Sequence, residues 1–481
     1  MTRKSVNLLD VSALEKIHQE SLRILENIGM RVDDPECVKI LRKAGAKVVG
    51  QSNVVMLPAP MVNEAMSQIT KKFELVQPTG ERFWVPDKAP RVGVRVKMPK
   101  ILDYGSLSCR PPRRQDVINL SRITAALPKT EFGIAIQYPS SDVPPEISVV
   151  DSLGLAIAVA GKMSMAAPST VEDARTSIDL AMAAVGSDDI VNNPATWIAV
   201  NSTSPLYLGE REGSIIRHVV GRGTPIDVEP MPVAGASTPF TLAGTLLLGN
   251  AEALFLCTLA NAIWPGVKII HSTCGSAMNM KAASLSMGGP ETCLLSSGEI
   301  ALAQYYGMAT FRMGGYSDSW YPDVQAGIEK AMATLILAQS GADLVIMGGP
   351  LNCAAHQSYE QVVIDHDIWE FSMRLVNEIE VNEGTLAYDT IAKVGQAGSY
   401  IAEDHTLRYV RSGEHYYGGS FNHTGQPGEE NTMLVRAHER VTNILAQPFK
   451  WGAPEAVVQR VRQYVRDYAR HLKVDVPEWA S

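Results

Sequence analysis

Four short apolar segments decide the fold of this chain: IDVEPMPV (226–233), VKIIHSTC (267–274), MATFRMGGYSDSWY (308–321) and DLVIMGGP (343–350). Helix-like patterns separate most of them, and each segment ends in glycine, proline or polar residues. Parallel strands have this pattern because they are buried on both faces and carry working residues at their carboxyl ends. The segments therefore predict a parallel α/β protein.

Three earlier segments extend the series: TEFGIAIQYP (130–139), KMSMAAPST (162–170) and TWIAVN (196–201). A strand, a loop, a helix and a second loop fill the spacing between successive segments. We predict a (β/α)8 TIM barrel; there is room for an eighth strand after the helix near 358–380, but the sequence does not assign its position. A doubly wound open sheet is the alternative, but it would need a glycine-rich loop after its first strand, and GIAIQYPSSDVPP is not one.

The regions outside these repeats predict two additions to the barrel. Residues 1–110 read as an α+β N-terminal extension, in which RVGVRVK (91–97) and KILDYGSLSCR (100–110) form a hairpin. The barrel then spans 111–430, and a C-terminal helical segment spans 431–481. The glycine- and tyrosine-rich stretch 395–428 has no clear pattern.

Composition indicates a folded enzyme that does not bind polyanions. Hydrophobic residues make up 46% of the chain, charged residues 20%, and the net charge is −8. Nucleic acids and anionic membranes attract basic surfaces instead. The six cysteines form no CxxC pair, the N-terminus has no signal-peptide pattern, and Glu252 interrupts the most apolar stretch, 241–264. We therefore expect a cytoplasmic protein with reduced thiols and a buried helix at 241–264.

Two long stretches, 231–270 and 288–349, resemble the trimethylamine:corrinoid methyltransferase family. Weaker similarity extends to LEKIHQESLRILENIGMRVDDPE (14–36) and AHERVTNILA (437–446). The resemblance implies a TIM barrel that moves a methyl group from an amine to the cobalt of a partner corrinoid protein. The corrinoid, as cob(I)alamin, would come from that partner, the enzyme would have no tightly bound cofactor of its own, and it would be a homo-oligomer.

The sequence departs from the trimethylamine-specific members of that family at one position. Those members carry pyrrolysine near the barrel site, whereas this chain has only ordinary residues, including at 314–320 where pyrrolysine would fall. Family members without pyrrolysine demethylate quaternary amines. The resemblance thus implies glycine betaine as substrate, with proline betaine or a carnitine-type compound as alternatives.

Removing a methyl group from a quaternary ammonium releases a neutral amine, so the site needs recognition groups more than a proton donor. Aromatic faces attract the cation, and a guanidinium suits a substrate carboxylate. We predict that Arg312 binds the carboxylate and that Tyr316, Trp320 and Tyr321 surround the ammonium. Alternatively, Arg312 is a structural arginine neutralised by Glu229 or Glu299, and the aromatic residues cap the core.

His356 follows the last predicted strand and is a further candidate, either as a hydrogen-bond donor to the carboxylate or as a group facing cobalt; a structural histidine is the alternative. Weaker candidates for the aromatic cage are Tyr104, Tyr138, Tyr207, Tyr359 and Phe421.

Two other chemistries were weighed against methyl transfer from a betaine. Zinc ligands are present in HSTC (271–274) with Cys293 and in 365–367, but no compact tetrahedral set emerges, so we expect no metal. The turns MGGY and MGGP could hold phosphate in an aldolase or isomerase, yet no predicted strand ends in the lysine of a Schiff-base enzyme. A non-catalytic betaine-binding protein is a third possibility, disfavoured by the barrel and the missing export signal.

Overall fold

The computed structural model describes residues 8–50, 52–87, 89–95, 98–135, 138–377, 379–422, 432–476 and 478–479. An N-terminal layer of three helices and five short strands lies outside the barrel: α1 (Val11–Asn27), β1 (Met30–Val32), α2 (Pro35–Lys43), β2 (Lys47–Val49), β3 (Val54–Met56), α3 (Ala59–Gln68), β4 (Phe73–Val76) and β5 (Arg82–Val85). The β4–β5 hairpin closes the N-terminal end of the barrel, because Phe73, Leu75 and Phe83 join the core inside it.

Eight parallel strands form a closed barrel: β6 (Arg91–Arg95), β9 (Thr130–Ala135), β10 (Met163–Ala166), β11 (Ile198–Val200), β13 (Ile226–Val228), β15 (Ile269–His271), β18 (Ala309–Met313) and β19 (Leu344–Met347). The closure runs through β6. Its Gly93 pairs with Phe132 of β9, and its Val92 pairs with Val345 of β19. The predicted TIM barrel is confirmed.

Helices α4 to α11 surround the barrel: α4 (Arg114–Ala126), α5 (Pro145–Ala160), α6 (Val171–Val185), α7 (Glu210–Gly221), α8 (Leu242–Ile263), α9 (Pro290–Tyr305), α10 (Val324–Ser340) and α11 (Tyr359–Val376). Short strands lie in the connections: β7 (Ile101–Leu102), β8 (Cys109–Arg110), β12 (Tyr207–Leu208), β14 (Val233–Ala234), β16 (Ser276–Asn279), β17 (Ser284–Ser286), β20 (Pro350–Leu351) and β21 (His356–Gln357). Within the described ranges α8 alone has the length and apolarity of a membrane span, and 78% of its most apolar window is buried in the fold, as the sequence predicted.

The structure identifies the eighth strand, whose position the sequence did not assign, and it does not follow the helix near 358–380. It is β6, at the start of the barrel and inside the segment 1–110, and α12 rather than a strand follows α11. The hairpin predicted from 91–97 and 100–110 is also wrong, since β7 pairs with β8 instead; residues 96 and 97 lie outside the described ranges. The alternation of residue types in RVGVR is also the pattern of a half-exposed hairpin strand. In the barrel it has a different cause, because the glycine takes an inward position. A Cβ on Gly93 would lie 2.2 Å from the ring of Phe132, so a second side chain does not fit there.

Beyond α11 the described residues form five helices: α12 (Glu383–Leu386), α13 (Tyr388–Val394), α14 (Asp404–Val410), α15 (Met433–Ala446) and α16 (Glu455–Leu472). α15 packs on α4 and α11, and α16 packs on α5 and α6. The apolar faces of α15 and α16 join a core that includes Val441, Val458 and Val461. The C-terminal helices thus cover one flank of the barrel.

Candidate active site at the barrel mouth

The middle of the barrel is filled by aromatic rings. Phe132 contacts Trp197 edge-on at 5.3 Å between ring centroids, and Phe311 approaches Trp197 at 6.0 Å. Met163 and Met165 belong to the same core. These side chains seal the barrel below its carboxyl end and form the floor of a site there.

A buried arginine lies above that floor. On β6, Val92 and Val94 pack outward and Gly93 faces inward, so alternation directs Arg95 into the barrel. Arg95 is only 4% exposed, and its Nη2 donates to the hydroxyl of Tyr316 at 2.9 Å. A guanidinium is thereby held inside the mouth, beside an aromatic ring.

Two buried carboxyl groups face the same space. Ile226 and Val228 of β13 pack outward, so Asp227 and Glu229 point inward. Burial raises the pKa of Asp227 to about 7. Burial, and then the neighbouring Asp227, raise the pKa of Glu229 well above its ordinary value, while Arg95 and Arg312 oppose that shift.

Several polar atoms in this space have no hydrogen-bond partner among the residues that the structure describes. They are both carboxyl oxygens of Asp227, Oε1 of Glu229 and Nε1 of Trp197. Buried polar groups in folded proteins are usually paired, so a cluster of unpaired ones marks a place for a polar ligand or water. The interior of the mouth is therefore a candidate binding site.

A cavity of about 310 Å³ opens beside this interior, at the carboxyl ends of β10 and β11. Ser169, Asn201 and Arg211 give it a polar rim, and Ala199 lines it while also belonging to the barrel core. The volume is that of a small-molecule site.

Arg312, the predicted carboxylate ligand, lies on the other side of the sheet. Phe311 points inward, so Arg312 points toward α9. Its Nη1 donates to the carbonyl of Thr273 at 2.7 Å, and its Nη2 lies 3.4 Å from Nδ1 of His271. Burial lowers its pKa, and the charge of Glu299 is the largest influence that opposes the shift. These contacts match the alternative of a structural arginine, held by a backbone carbonyl and a histidine.

The predicted aromatic residues divide between the interior and the rim of the mouth. Tyr316 is buried beside Arg95, whereas Trp320 and Tyr321 are 42% and 37% exposed. His356 is buried under Trp320: its Nε2 lies 2.8 Å from the Trp320 carbonyl oxygen, and the two rings are 4.8 Å apart. Tyr138 is exposed just beyond β9. Of these predicted residues, Tyr316 therefore lies in the interior of the mouth and the others lie around it.

The remaining cage candidates have other partners. Tyr104 stacks on His438 with 3.7 Å between ring centroids. The Tyr207 hydroxyl donates to Asp33 of the N-terminal layer, and the Tyr359 hydroxyl donates to Asp116 of α4. Phe421 stacks on Phe371, on the outer side of α11. The structure does not bring these four side chains together at the barrel interior.

A buried ion pair connects the two loops that follow β18 and β19. Lys330 of α10 and Asp365 of α11 lie 3.0 Å apart, and both side chains are fully buried. Lys330 donates to the carbonyl of Gly315, and Asp365 accepts from the backbone of Gly349 at 2.8 Å. Since Gly315 precedes Tyr316, the pair fixes the loop that carries the interior tyrosine.

Among the described residues, one group of side chains converges as metal ligands do: His366, Asp367 and Glu370 on α11. Asp367 is already bound by Arg440, with its two oxygens 2.8 and 2.7 Å from Nη1. Of the set 365–367 considered from the sequence, His366 and Asp367 thus converge with Glu370, whereas Asp365 pairs with Lys330. The HSTC segment and Cys293 are not part of that group in the described part of the chain.

Arg95, Trp197 and Asp227 were not predicted from the sequence, and Glu229 was predicted only as a counterion of Arg312. The sequence does contain an indication of these residues. A charged residue inside an apolar strand, as in RVGVR and IDVE, must face a polar interior or form an ion pair. Using this indication for Arg95 requires knowing that β6 is a barrel strand.

Comparisons with known proteins agree with this architecture. Residues 1–472 match the family model described as trimethylamine methyltransferase (MTTB). The chain is 27% identical over 459 residues to trimethylamine methyltransferase MttB of Desulfitobacterium hafniense, covering 94% of this chain and 92% of that protein. It is 30% identical over 418 residues to MttB1 of Methanosarcina acetivorans, covering 84% and 83% of the two chains.

A glycine betaine methyltransferase of Desulfitobacterium hafniense is 28% identical over 409 residues, covering 84% of each chain. The crystal structure of the Methanosarcina barkeri monomethylamine methyltransferase MtmB superimposes with a TM-score of 0.51 at 13% identity, covering 96% of this chain and 93% of that one. This last likeness concerns the fold alone.

Proposed function

Since the chain belongs to the trimethylamine methyltransferase (MTTB) family, we propose that this methyltransferase takes a methyl group from a quaternary amine, glycine betaine first, and transfers it to a separate corrinoid protein. Proline betaine and carnitine-type compounds are the next candidates. The observation that carries the proposal is the buried guanidinium of Arg95 inside the barrel mouth, 2.9 Å from the Tyr316 hydroxyl.

Arg95 suits the carboxylate of a betaine. A buried guanidinium offers several fixed N–H donors, and its charge-assisted bonds are strong in a site that excludes water. Because Arg312 points toward α9, Arg95 takes the role that the sequence analysis gave to Arg312. Arg312 instead holds the ends of β15 and β18 through Thr273 and His271.

The rest of the interior suits the trimethylammonium group. Tyr316 and Trp197 supply aromatic surface, and both carboxyl oxygens of Asp227 and Oε1 of Glu229 have no hydrogen-bond partner within the described ranges. An aromatic face contributes roughly 0.5–2 kcal/mol to binding such a cation. The recognition groups for both ends of a zwitterion therefore face one small space.

The corrinoid, supplied by the partner protein as cob(I)alamin, would act as the nucleophile that accepts the methyl group. A quaternary ammonium then leaves as a neutral tertiary amine, so this chain need not donate a proton. Its own residues would bind, orient and desolvate the substrate. The rim residues Trp320 and Tyr321, with His356 buried beneath Trp320, would border the path along which the corrinoid reaches the mouth.

The absence of pyrrolysine from the sequence favours a quaternary substrate over trimethylamine. Trimethylamine lacks a carboxylate and would leave the charge of Arg95 without a counterpart. All six cysteines are free thiols, and this fits a cytoplasmic location.

Calorimetric titration with glycine betaine, trimethylamine, proline betaine and carnitine tests the proposal, together with absorbance measurements of methyl-cobalt formation from Co(I)-cobalamin. Arg95→Gln should weaken betaine binding by about 2–4 kcal/mol, or roughly 30- to 1,000-fold in Kd. Arg91→Gln, at the opposite end of the same strand, is the matched control and should leave affinity unchanged. Equal affinity of wild type and Arg95→Gln would remove Arg95 from the site. Methylation from trimethylamine alone would refute the betaine assignment.

A further inference from the structure

The cavity of about 310 Å³ at the ends of β10 and β11 lies beside the groups that would bind a zwitterion. In the closed barrel, β10 and β11 lie between β6, which carries Arg95, and β13, which carries Asp227. Ala199 of β11 lines the cavity and is paired in register with Asp227. Neighbouring strands are only about 4.8 Å apart. A ligand group held at Asp227 therefore lies next to the cavity.

Two alanines leave this space open. Lower in the barrel the inward side chains of the same two strands are large: Met163 and Met165 on β10, and Trp197 on β11. At the next inward positions toward the carboxyl ends are Ala167 and Ala199, which line the cavity and also pack on the barrel core. A longer side chain at either position would project into the cavity, so the two alanines determine its size.

The wall of the cavity is polar, and the charges among its described lining residues are balanced. Ser169, Asn201 and Thr203 supply two hydroxyls and an amide. The two charged side chains of the wall neutralise each other, because Nε of Arg211 donates to Oε1 of Glu212 at 2.9 Å. An uncharged group that has hydrogen-bond donors and acceptors, such as a carboxamide or a hydroxyl, therefore suits this cavity better than a charged or a purely apolar group.

We propose that this cavity is a subsite for a polar substituent on the carbon atom next to the ammonium group of the substrate. The inference rests on the proposed function, in which the ammonium lies against Asp227 and Glu229 and the carboxylate against Arg95. In glycine betaine that carbon bears only hydrogen, so glycine betaine leaves the cavity to water. The betaine of an amino acid with a hydroxyl or carboxamide side chain fills the cavity and keeps both recognised ends. The preferred substrates are then betaines of small polar amino acids, of which glycine betaine is the unsubstituted parent.

Calorimetric titration of the full chain with four betaines tests the subsite without any variant. The compounds are glycine betaine and the N-trimethyl derivatives of alanine, serine and asparagine, which share both charged ends and differ in the substituent. The serine and asparagine derivatives should bind about tenfold or more tightly than glycine betaine, as two or more added hydrogen bonds imply. The alanine derivative adds a methyl group without a hydrogen bond and should bind less tightly than either of them.

Two variants of the cavity wall locate the substituent. Ala199→Leu fills the cavity and should lower the ratio of asparagine-derivative affinity to glycine betaine affinity about tenfold or more. Ala243→Leu adds the same bulk at an exposed alanine of α8 and is the matched control, which should leave this ratio unchanged. Because Ala199 is only 2% exposed, Asn201→Ala at a partly buried position provides a second variant, and it should lower the ratio about fivefold. Circular dichroism establishes that each variant is folded.

The possible failures of the subsite and of the proposed function give different results. If glycine betaine binds as tightly as the serine and asparagine derivatives, the subsite is wrong and the proposed function stands. If the derivatives bind more tightly but neither Ala199→Leu nor Asn201→Ala changes the affinity ratio, the substituent lies elsewhere and the subsite is again wrong. If none of the four compounds binds, the proposed function is overturned together with the subsite.

Discussion

Breaking the Lys330–Asp365 pair should destabilise the protein far more than breaking a surface pair. Both side chains are fully buried, so solvent does not screen their interaction. Asp365→Asn keeps the shape but leaves the buried Lys330 ammonium without its negatively charged partner. Removing one partner of a buried pair typically costs about 3–5 kcal/mol. That is a large share of the roughly 5–15 kcal/mol by which folded proteins are stable.

Lys330→Met should cost less, because Asp365 keeps donors from Gly349 and from Nε2 of Gln361 at 2.8 Å each. The double variant should then be more stable than the sum of the two losses implies, with a coupling of about 1–3 kcal/mol. Urea unfolding followed by tryptophan fluorescence measures all four corners of this cycle.

The exposed pair Lys39–Glu36 supplies the control, and Lys39→Met should cost less than about 1 kcal/mol. Since Lys330 also fixes the carbonyl next to Tyr316, betaine affinity should fall in Asp365→Asn as well. Additive losses in the cycle, or a change of less than about 0.5 kcal/mol in Asp365→Asn, would refute the view that the pair holds these loops.

Three further predictions concern the barrel and its site. Burial raises the pKa of Asp227 to about 7, so the folded protein keeps a proton there that the unfolded chain releases near pH 4. The free energy of unfolding of the wild type should therefore fall as the pH rises from about 4 to about 7. Asp227→Asn should therefore gain stability relative to wild type between pH 5 and 7, by at most about 1.4 kcal/mol per pH unit, and a pH-independent difference in urea unfolding would contradict this. Gly93→Ala should cost about 1–3 kcal/mol through its clash with Phe132, whereas Gly133→Ala, whose Cβ would have no neighbour closer than 3.8 Å, should cost much less; equal unfolding midpoints would argue against the clash. Chelator treatment should leave methyl transfer intact, and a loss of activity that zinc restores would show that a metal takes part.

The sequence by itself determined the barrel and the family. Periodic apolar segments with polar carboxyl ends predicted seven of the eight strands, because burial on both faces and regular crossover lengths leave a strong local pattern. Long motifs such as 288–349 carried the family resemblance. The same pattern predicted that Tyr316 lies near the site, because a residue that soon follows a strand end in a parallel barrel lies at the mouth.

Only the tertiary structure decided which charged groups face the interior. Arg95 and Arg312 each lie near the end of an apolar strand, as the fifth residue of β6 and the fourth residue of β18, yet one points into the barrel and the other toward α9. The side on which a residue points depends on strand register and on closure by β6, and closure is a contact between residues more than 200 positions apart. Local patterns do not contain that information.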